Sequence, residues 1–212
     1  MRVTIIGSTG HVGHHLTTEA VRRGHTVTCL IRDPHRATDL PAEVTRAHGD
    51  VTDPQTLTRH AADSDAVLAA IRPPHGQEGR LVDMTHHLLD GMRATSTRLI
   101  SVGGAATLQV DDTGRLVVDD PRYLHPAATA IAQACVDQHD VYRKESDVDW
   151  TYVSPPPTLT QGPRTGRYRL GADTLVLDTA GDSEISAADL AVAILDEVDQ
   201  PRHRRRRFTA AY

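Results

Sequence analysis

Short apolar runs alternate with helical patterns along the whole chain. The first run covers residues 3–6, and residues 11–23 follow it with apolar positions spaced for a helix that Gly24 ends. The same alternation continues to the last residues. It predicts further strands at 26–31, 44–47, 66–71, 98–102, 150–153, 174–177 and 208–211, and helices at 54–62, 77–94, 127–144 and 187–198.

The predicted strands are apolar at almost every position rather than at every second one. Strands of this kind are buried on both faces, as in a parallel sheet that helices cover on both sides. We therefore predict an α/β fold in which one doubly wound, mostly parallel sheet spans residues 1–212 as a single domain. Residues 154–212 should form a small C-terminal extension on the substrate side, and the Pro-rich segment 155–171 should be a loop over the carboxyl edge of the sheet. Ser186 is expected to cap the last helix.

Three glycines, Gly7, Gly10 and Gly13, stand at three-residue spacing between the first strand and the first helix. A strand that turns sharply into a helix favours Gly7, and backbone that approaches a pyrophosphate closely favours Gly10. Gly13 allows the helix to pack on the sheet, and the helix N-terminus offers free amides to the phosphates. This arrangement predicts a single Rossmann domain with a dinucleotide site whose loop also contains Ser8, Thr9, His11 and Val12.

The residues after the second strand bear on the choice between NAD and NADP. Arg32 is followed by Asp33, and Arg36 lies one turn further on. A guanidinium can bind the 2′-phosphate of NADP through two parallel hydrogen bonds, whereas an acidic residue binds the ribose hydroxyls of NAD. We therefore expect NADP(H) as the cofactor, bound by Arg32 and Arg36. Asp33 keeps NAD(H) open as the alternative, and a solvated pair of Arg32 with Asp33 would have no cofactor role.

The overall composition narrows the range of partners. The 212 residues carry a formal net charge of -5, which argues against a nucleic-acid partner because such proteins present a basic surface. The basic run 202–207 is typical of a solvated surface. The cysteines and histidines show no spacing typical of metal ligands, and no apolar stretch is long enough for a membrane span. We expect a cytoplasmic monomer or homodimer that binds a small-molecule substrate and no metal, nucleic acid or membrane.

Several motifs occur in the order seen in atypical short-chain dehydrogenase/reductases, at residues 7–13, 30–34, 49–53 and 100–105. The sequence most resembles the NAD(P)H-binding branch of that group, which includes NADH-flavin reductases, biliverdin reductase B and NmrA-like proteins. The tail of the same branch is similar too, at residues 165–171, 185–191 and 207–209. The resemblance therefore covers nearly the whole chain, and it implies NAD(P)H binding on a Rossmann fold.

The resemblance also implies positions around the cofactor. Asp50 would accept a hydrogen bond from the adenine amine, and Val51 would meet the ring through its backbone. Asp50 could instead be a turn-forming acid beside Gly49. The cofactor ribose would be lined by residues after the fourth strand, namely Ala70, Ile71 and Arg72. The nicotinamide would lie beside residues that follow the fifth and sixth strands, namely Val102, Gly103, Gly104, Ser154, Pro155 and Pro156.

The residue pair with which most short-chain reductases protonate their substrates is missing. In Tyr-x-x-x-Lys the lysine lies one helical turn beyond the tyrosine and lowers its pKa. Lys144 is the only lysine in the sequence, Asp140 stands four positions before it, and Tyr142 is only two positions away. Most short-chain reductases also have a catalytic serine after the fifth strand. In this sequence a glycine, Gly103 or Gly104, stands at that position.

Three functions remain open. The flavin and biliverdin reductases of the resembled branch also lack the pair, because hydride goes to a conjugated ring and protonation can come from solvent. We therefore predict an NAD(P)H-dependent oxidoreductase that reduces a small flavin, quinone or enone-like acceptor. An NADP-binding regulator without turnover, as among NmrA-like proteins, is one alternative. A cyclase, isomerase or dehydratase adapted from the fold is the other.

If acid/base chemistry occurs, the best-placed residues are His75, Tyr123 and His125, because they lie in segments that follow strands. Histidine titrates near neutral pH and can therefore transfer a proton. Each of the three could equally be an inert surface residue. Only 3% of the residues are aromatic, so the substrate pocket is expected to be aliphatic and lined by the Pro-rich segment.

Overall fold

The computed structural model describes residues 1–33, 35, 37–110 and 114–212. Its strands are β1 (Arg2–Ile6), β2 (Thr26–Ile31), β3 (Thr45–His48), β4 (Ala66–Ala69), β5 (Arg98–Val102), β6 (Trp150–Ser154), β7 (Thr158–Thr160), β8 (Arg169–Gly171), β9 (Glu184–Ser186) and β10 (Arg206–Ala211). Its helices are α1 (His11–Arg22), α2 (Pro54–Ala62), α3 (Arg80–Arg93), α4 (Thr129–Lys144) and α5 (Ala187–Asp199). Short 3-10 turns lie at Ala105–Thr107, Val117–Asp119 and Pro126–Ala128.

The main sheet has eight strands in the order β3-β2-β1-β4-β5-β6-β10-β8. Neighbouring strands are parallel except β8, which runs antiparallel to β10. The chain builds outwards in both directions from β1 and β4, so a crevice opens at the carboxyl ends of these two strands. β7 and β9 form a separate two-stranded parallel sheet. The predicted doubly wound, mostly parallel α/β fold is confirmed.

Neighbouring residues of the central strands enter opposite layers of the core. Ile5 of β1 packs with Leu16 of α1 and Leu190 of α5. The next residue, Ile6, packs on the other face of the sheet with Leu57 of α2. Helices therefore cover the sheet on both sides, and this is why its central strands are mostly apolar on both faces.

Two expectations about the C-terminal part need correction. Residues 174–177 do not form a strand; the strand in this region is β8, which pairs with β10. Leu175 packs instead with Leu108 in a small separate apolar cluster. The segment 155–171 is not entirely a loop, since β7 within it pairs with β9. These pairings join strands that are distant in the chain, so a local apolar pattern does not reveal them.

The motifs of the tail meet at one buried carboxylate. Asp189, in the first turn of α5, accepts hydrogen bonds from the N–H and the hydroxyl of Thr165 at 2.8 and 2.6 Å. It also accepts from the N–H of Gly166 at 2.7 Å and from the hydroxyl of Tyr212 at 2.8 Å. Ser186 caps the same helix as predicted, because its Oγ accepts from the N–H of Asp189 at 3.0 Å. These bonds join the segment before β8, the start of α5 and the last residue of the C-terminal extension.

A second buried carboxylate attaches α1 to the extension. Glu19 is 3% exposed and accepts hydrogen bonds from Arg22, Arg23 and Arg164. Burial alone would raise the pKa of Glu19, but the three guanidinium groups outweigh it and hold the pKa well below its ordinary value of 4.5. Because Arg164 lies between β7 and β8, this cluster fixes part of the extension to α1, the first helix of the chain.

We expect Glu19→Gln to lower the free energy of unfolding by about 3 kcal/mol at neutral pH, because the guanidinium groups lose their shared carboxylate. The loss should shrink as the pH falls below 4.5, since the wild-type carboxylate contributes its stability only while it is ionised. Urea unfolding in neutral and acidic buffers measures both effects. The exposed Glu43, changed to Gln, is the matched control and should shift stability by less than about 0.5 kcal/mol. Equal losses in the two variants would contradict the role given to Glu19.

Candidate functional site

The loop between β1 and α1 is shaped by contacts that exclude side chains. Gly7 has a φ of +83°, and a Cβ there would lie 2.2 Å from the carbonyl oxygen of Ala70. A Cβ at Gly13 would lie 2.0 Å from the carbonyl oxygen of Gly7. Both distances are far inside van der Waals contact, so only glycine fits at either position. The loop is thereby fixed against the end of β4 and the start of α1.

Gly10 lies on the open side of this loop. Its N–H donates to the carbonyl oxygen of Gly7 at 2.9 Å, and no side chain caps the helix that begins after it. Gly10, His11 and Val12 border a cleft, so the first turn of α1 lies beside open space. Free amides and the positive end of a helix dipole suit a phosphate group. The loop therefore fits the pyrophosphate of a dinucleotide.

Two clefts meet at the glycine loop. The first cleft has a volume of about 210 Å³ and lies at the carboxyl ends of β1, β2 and β4, where it is lined by residues 6–10, 30–33, 49–51, 70–72 and Met84. The second cleft has a volume of about 480 Å³ and lies between the loop, the segment after β5 and α4. Together they form the crevice that the strand order creates.

Charged residues distinguish the first cleft. The guanidinium of Arg32 is well exposed and lies 4.0 Å from one carboxylate oxygen of Asp50. The other oxygen of Asp50 accepts hydrogen bonds from the N–H and the hydroxyl of Thr52, both at 2.9 Å. Asp50 therefore shapes the turn after β3 and also keeps an oxygen beside Arg32. Arg32 remains available for an anionic ligand that enters this cleft.

Apolar residues make up most of the wall of the second cleft, including Val12, Leu81, Val117, Leu124, Ile131, Leu159 and the prolines at 155–157. Among the described residues of this wall, Tyr123 is the only tyrosine, and phenylalanine and tryptophan are absent. The wall agrees with the aliphatic, proline-lined pocket that the low aromatic content predicts. A cleft of this size and character suits a small apolar molecule.

Nearly all of the residues that the sequence assigns to the cofactor lie at these clefts. The first cleft contains Gly7, Ser8, Thr9, Arg32, Asp50 and Val51. The second contains His11, Val12, Val102, Gly103, Gly104 and Pro155. Both are bordered by Gly10, Ala70, Ile71 and Arg72. Gly13 is buried beneath the loop, and Arg36 lies outside the described residues.

Sequence reasoning missed Tyr152, which shapes the loop after β5. A Cβ on Gly103 would lie 1.8 Å from the hydroxyl oxygen of Tyr152, so the phenol occupies the space of a side chain at position 103. This is one of the two positions at which most short-chain reductases would place a serine. No local signal marks Tyr152, because it resembles any buried strand residue until β6 lies beside β5.

Hydrogen bonds hold the Tyr152 phenol in place. Its hydroxyl donates to the side-chain oxygen of Gln138 at 3.1 Å, and the N–H of Gly104 approaches the same hydroxyl at 3.4 Å. Gln138 donates in turn to the hydroxyl of Thr85 at 3.1 Å. Burial raises the pKa of Tyr152 well above its ordinary value of 10.0, so the phenol remains protonated. Tyr152 is a positioning residue for the segment that borders the second cleft.

The three acid/base candidates are not brought together. Tyr123 borders the second cleft. His75 is 97% exposed at its side chain and lies 3.2 Å from the carboxylate of Glu78. The Nδ1 of His125 accepts a hydrogen bond from the N–H of Ala127 at 3.2 Å and so begins a 3-10 turn. Neither histidine is among the residues that line either cleft.

Tyr142 and Lys144, the tyrosine and lysine that are closest to each other in the sequence, also lie away from the clefts. Tyr142 is fully buried, and its ring lies 5.6 Å from that of Trp150 and 5.4 Å from that of Tyr152. Lys144 is exposed at the last residue of α4. Neither borders the first or the second cleft.

A family model described as NAD(P)H-binding matches residues 7–201 of this chain. The chain belongs to the NAD(P)H-binding family. The matched region contains the glycine loop, both clefts and most of the C-terminal extension. The predicted family and the nicotinamide cofactor class are thereby confirmed.

Three relatives of this NAD(P)H-binding protein are similar to it over nearly their whole length. YwnB, an uncharacterised protein of Bacillus subtilis (strain 168), is 34% identical over 213 residues, which cover 99% of this chain and 97% of the relative. A candidate exported protein of Burkholderia pseudomallei is 37% identical in sequence, and the alignment covers 100% of both chains. Its crystal structure superposes on this chain with a TM-score of 0.90. A candidate NADH-flavin reductase of Streptococcus pneumoniae TIGR4 is 26% identical, with coverage of 100% of this chain and 99% of that chain and a TM-score of 0.90. These similarities support a reductase-type function.

Two other features bear on the partners of this NAD(P)H-binding protein. Within residues 1–33, 35, 37–110 and 114–212, no helix combines the length and the apolar character needed to cross a bilayer. In the same ranges, histidine, cysteine and acidic side chains form no cluster of three that could hold a metal ion. A family of nucleotide-binding proteins implies small-molecule ligands.

We expect Gly103→Ala to lower the free energy of unfolding by about 2 kcal/mol, because the new methyl group must displace the buried Tyr152 phenol. Gly79→Ala is the matched control, since a Cβ there would meet nothing within 4 Å. Thermal and urea unfolding of both variants measure the difference. In the double variant with Tyr152→Leu, the two losses should be less than additive because they share one contact. The role of Tyr152 would be disproved by equal stability of the two alanine variants.

Proposed function

We propose that this chain is an NADPH-dependent reductase of the atypical short-chain dehydrogenase/reductase type that transfers hydride to a small conjugated acceptor such as a flavin, a quinone or an enone. One observation carries the proposal: a cleft with charged residues and a larger apolar cleft meet at a glycine loop that fits a pyrophosphate. A nicotinamide nucleotide laid across the loop would have its adenosine in the first cleft. Its nicotinamide would then lie in the second, next to space for an acceptor.

The cofactor would be held mainly through backbone and by two side chains of the first cleft. Amides of His11 and Val12 at the start of α1 would bind the pyrophosphate, and Asp50 and Val51 would contact the adenine. Arg32 would bind the 2′-phosphate, which favours NADP(H) over NAD(H). Ala70, Ile71 and Arg72 would line the ribose. The nicotinamide would lie beside Gly103 and other residues at the edge of the second cleft, namely Val102, Gly104 and Pro155. Arg36 remains a predicted second ligand of the 2′-phosphate.

When bound, the nicotinamide supplies a hydride, and the task of the protein is to position the acceptor and exclude water. The apolar wall of the second cleft favours a flat, poorly hydrated acceptor. Hydride transfer adds a negative charge to the acceptor. A conjugated acceptor delocalises this charge onto a heteroatom, which solvent can protonate. Tyr123 is the acid/base candidate that borders this cleft, whereas His75 and His125 do not. The reaction proposed therefore does not need a Tyr-x-x-x-Lys pair.

A redox-inactive NADP-binding regulator is a second candidate function. It is favoured by the lack of a carboxylate or lysine among the described residues of the second cleft and by the full burial of Tyr142. A regulator of this kind would bind NADP+ and NADPH with similar affinity and would leave the second cleft to a partner or an effector. The two functions differ in one measurable step, the consumption of NADPH.

We expect the purified protein to oxidise NADPH in the presence of FMN, riboflavin or menadione, followed by loss of NADPH absorbance. Gly10→Asp should abolish this turnover, because it places a negative charge at the proposed pyrophosphate site. Gly79→Asp is the matched control and should keep the wild-type rate. Thermal unfolding of both variants shows whether they fold. The reductase proposal fails if NADPH binds and no conjugated acceptor supports its oxidation.

We expect Arg32→Gln to weaken NADPH binding about 10- to 100-fold and to leave NADH binding within about threefold, because it removes charge-assisted hydrogen bonds to the 2′-phosphate alone. Isothermal titration calorimetry with both nucleotides measures this difference. Arg59→Gln, at an exposed position of α2, is the matched control. An equal loss for NADPH and NADH would show that Arg32 does not read the 2′-phosphate.

A further inference from the structure

Arg72 stands where the two clefts meet. It follows the end of β4, the strand that lies between β1 and β5 in the sheet. Arg72 borders both the first and the second cleft, and the residue is exposed. A molecule bound in the second cleft would therefore lie beside Arg72.

The guanidinium of Arg72 has no partner within the described part of the chain. Neither a hydrogen bond nor an ion pair joins it to another described residue, whereas Arg32 already lies 4.0 Å from Asp50. Its positive charge still acts on the far wall of the second cleft. Burial raises the pKa of the Cys135 thiol on α4 to about 11, and the charge of Arg72 acts in the opposite direction.

The described residues that line the second cleft include no acidic group that could neutralise this charge. Among the described residues that line it, Arg72 is the only lysine, arginine, aspartate or glutamate. The remaining wall is mostly aliphatic, with Gln138 already bonded to Tyr152 and Thr85. A cationic acceptor would find no counter-charge here, whereas an anionic acceptor would find an unpaired guanidinium.

We propose that Arg72 recognises an anionic group on the acceptor, so that the second cleft prefers an apolar conjugated molecule bearing a carboxylate, phosphate or sulfonate. This inference rests on the proposed function for the identity of the cleft as the acceptor site. It goes beyond that function because it names the substrate class and the residue that selects it.

The preference follows from the cost of removing a charge from water. An acceptor that fills the cleft displaces the water around Arg72, and a guanidinium that loses its hydration without a partner destabilises the complex. An anionic group on the acceptor restores the lost interactions through charge-assisted hydrogen bonds, which can be bidentate. A neutral acceptor with the same ring cannot do so. Arg72 would therefore strengthen binding of the anionic acceptor and weaken binding of its neutral analogue.

The test measures binding rather than turnover, with two pairs of ligands that share a ring system and differ in charge. FMN is compared with riboflavin, and cinnamate is compared with cinnamamide. Each is titrated into the protein saturated with NADP+, so that no hydride is available, and binding is followed by flavin fluorescence or calorimetry. The variants are Arg72→Gln and Arg72→Lys, and Arg80→Gln on α3 is the matched control outside both clefts.

In the wild type we expect the anionic member of each pair to bind about 10- to 100-fold more tightly than the neutral one. Arg72→Gln should remove this preference by weakening binding of the anion and strengthening binding of the neutral analogue. Arg72→Lys should keep part of the preference, and Arg80→Gln should keep all of it. Affinity for NADP+ is measured in each variant. The proposal is overturned if the wild type shows no preference, or if Arg72→Gln weakens NADP+ and leaves the preference intact.

Failure of this inference can be told apart from failure of the proposed function. If the protein oxidises NADPH but does not prefer anionic ligands, the reductase proposal stands and the role of Arg72 is wrong. If the anionic preference depends on Arg72 but no acceptor supports NADPH oxidation, the second cleft is an anion-selective binding site and the reductase proposal is wrong.

Discussion

Close backbone contact around the glycine loop is the constraint on which the rest of the site depends. The carbonyl of Ala70 lies where a Cβ of Gly7 would be, and the carbonyl of Gly7 lies where a Cβ of Gly13 would be. These contacts fix β1, β4 and α1 against one another, because none of the three can move without opening the loop. The first turn of α1 consequently opens at the carboxyl ends of the central strands, and the first and second clefts meet there. These two packing contacts thus position both halves of the candidate site.

A second close contact shapes the larger cleft. Tyr152 fills the space beside Gly103, and its hydrogen bonds to Gln138 and onward to Thr85 connect β6 with α4 and α3. The phenol stays protonated in the core and supports the wall of the cleft without facing it. This region of the fold is organised for shape rather than for proton transfer. A reaction that depends on positioning two flat rings suits such a wall better than one that needs a strong acid or base.

Buried charged groups stabilise the fold, whereas the exposed Arg32 and Arg72 lie at the clefts. The buried carboxylates Glu19 and Asp189 each accept several hydrogen bonds, and both hold the C-terminal extension in place. Around the clefts the balance is different, since Arg32 has one acidic neighbour and Arg72 has none among the described residues. The protein as a whole is acidic, with a net charge of -5, yet the crevice that would take a phosphorylated cofactor carries exposed guanidinium groups. Anionic ligands would therefore meet Arg32 and Arg72 in this crevice, although Asp33 and Asp50 also line its first cleft.

The sequence by itself determined the fold class, the main strands and helices, and the glycine loop, because these depend on local apolar periodicity and on residues that lack side chains. It also placed the residues of both clefts near one edge, since the carboxyl ends of parallel strands always meet there. It did not determine the pairing of β8 with β10 or of β7 with β9, nor the contact of Tyr152 with Gly103. Nor did it show that His75 and His125 lie away from the clefts while Tyr123 borders one of them. Only the tertiary structure decided these points, because each depends on which distant segments pack together. The apolar pattern of one segment does not show which other segments lie beside it in the folded protein.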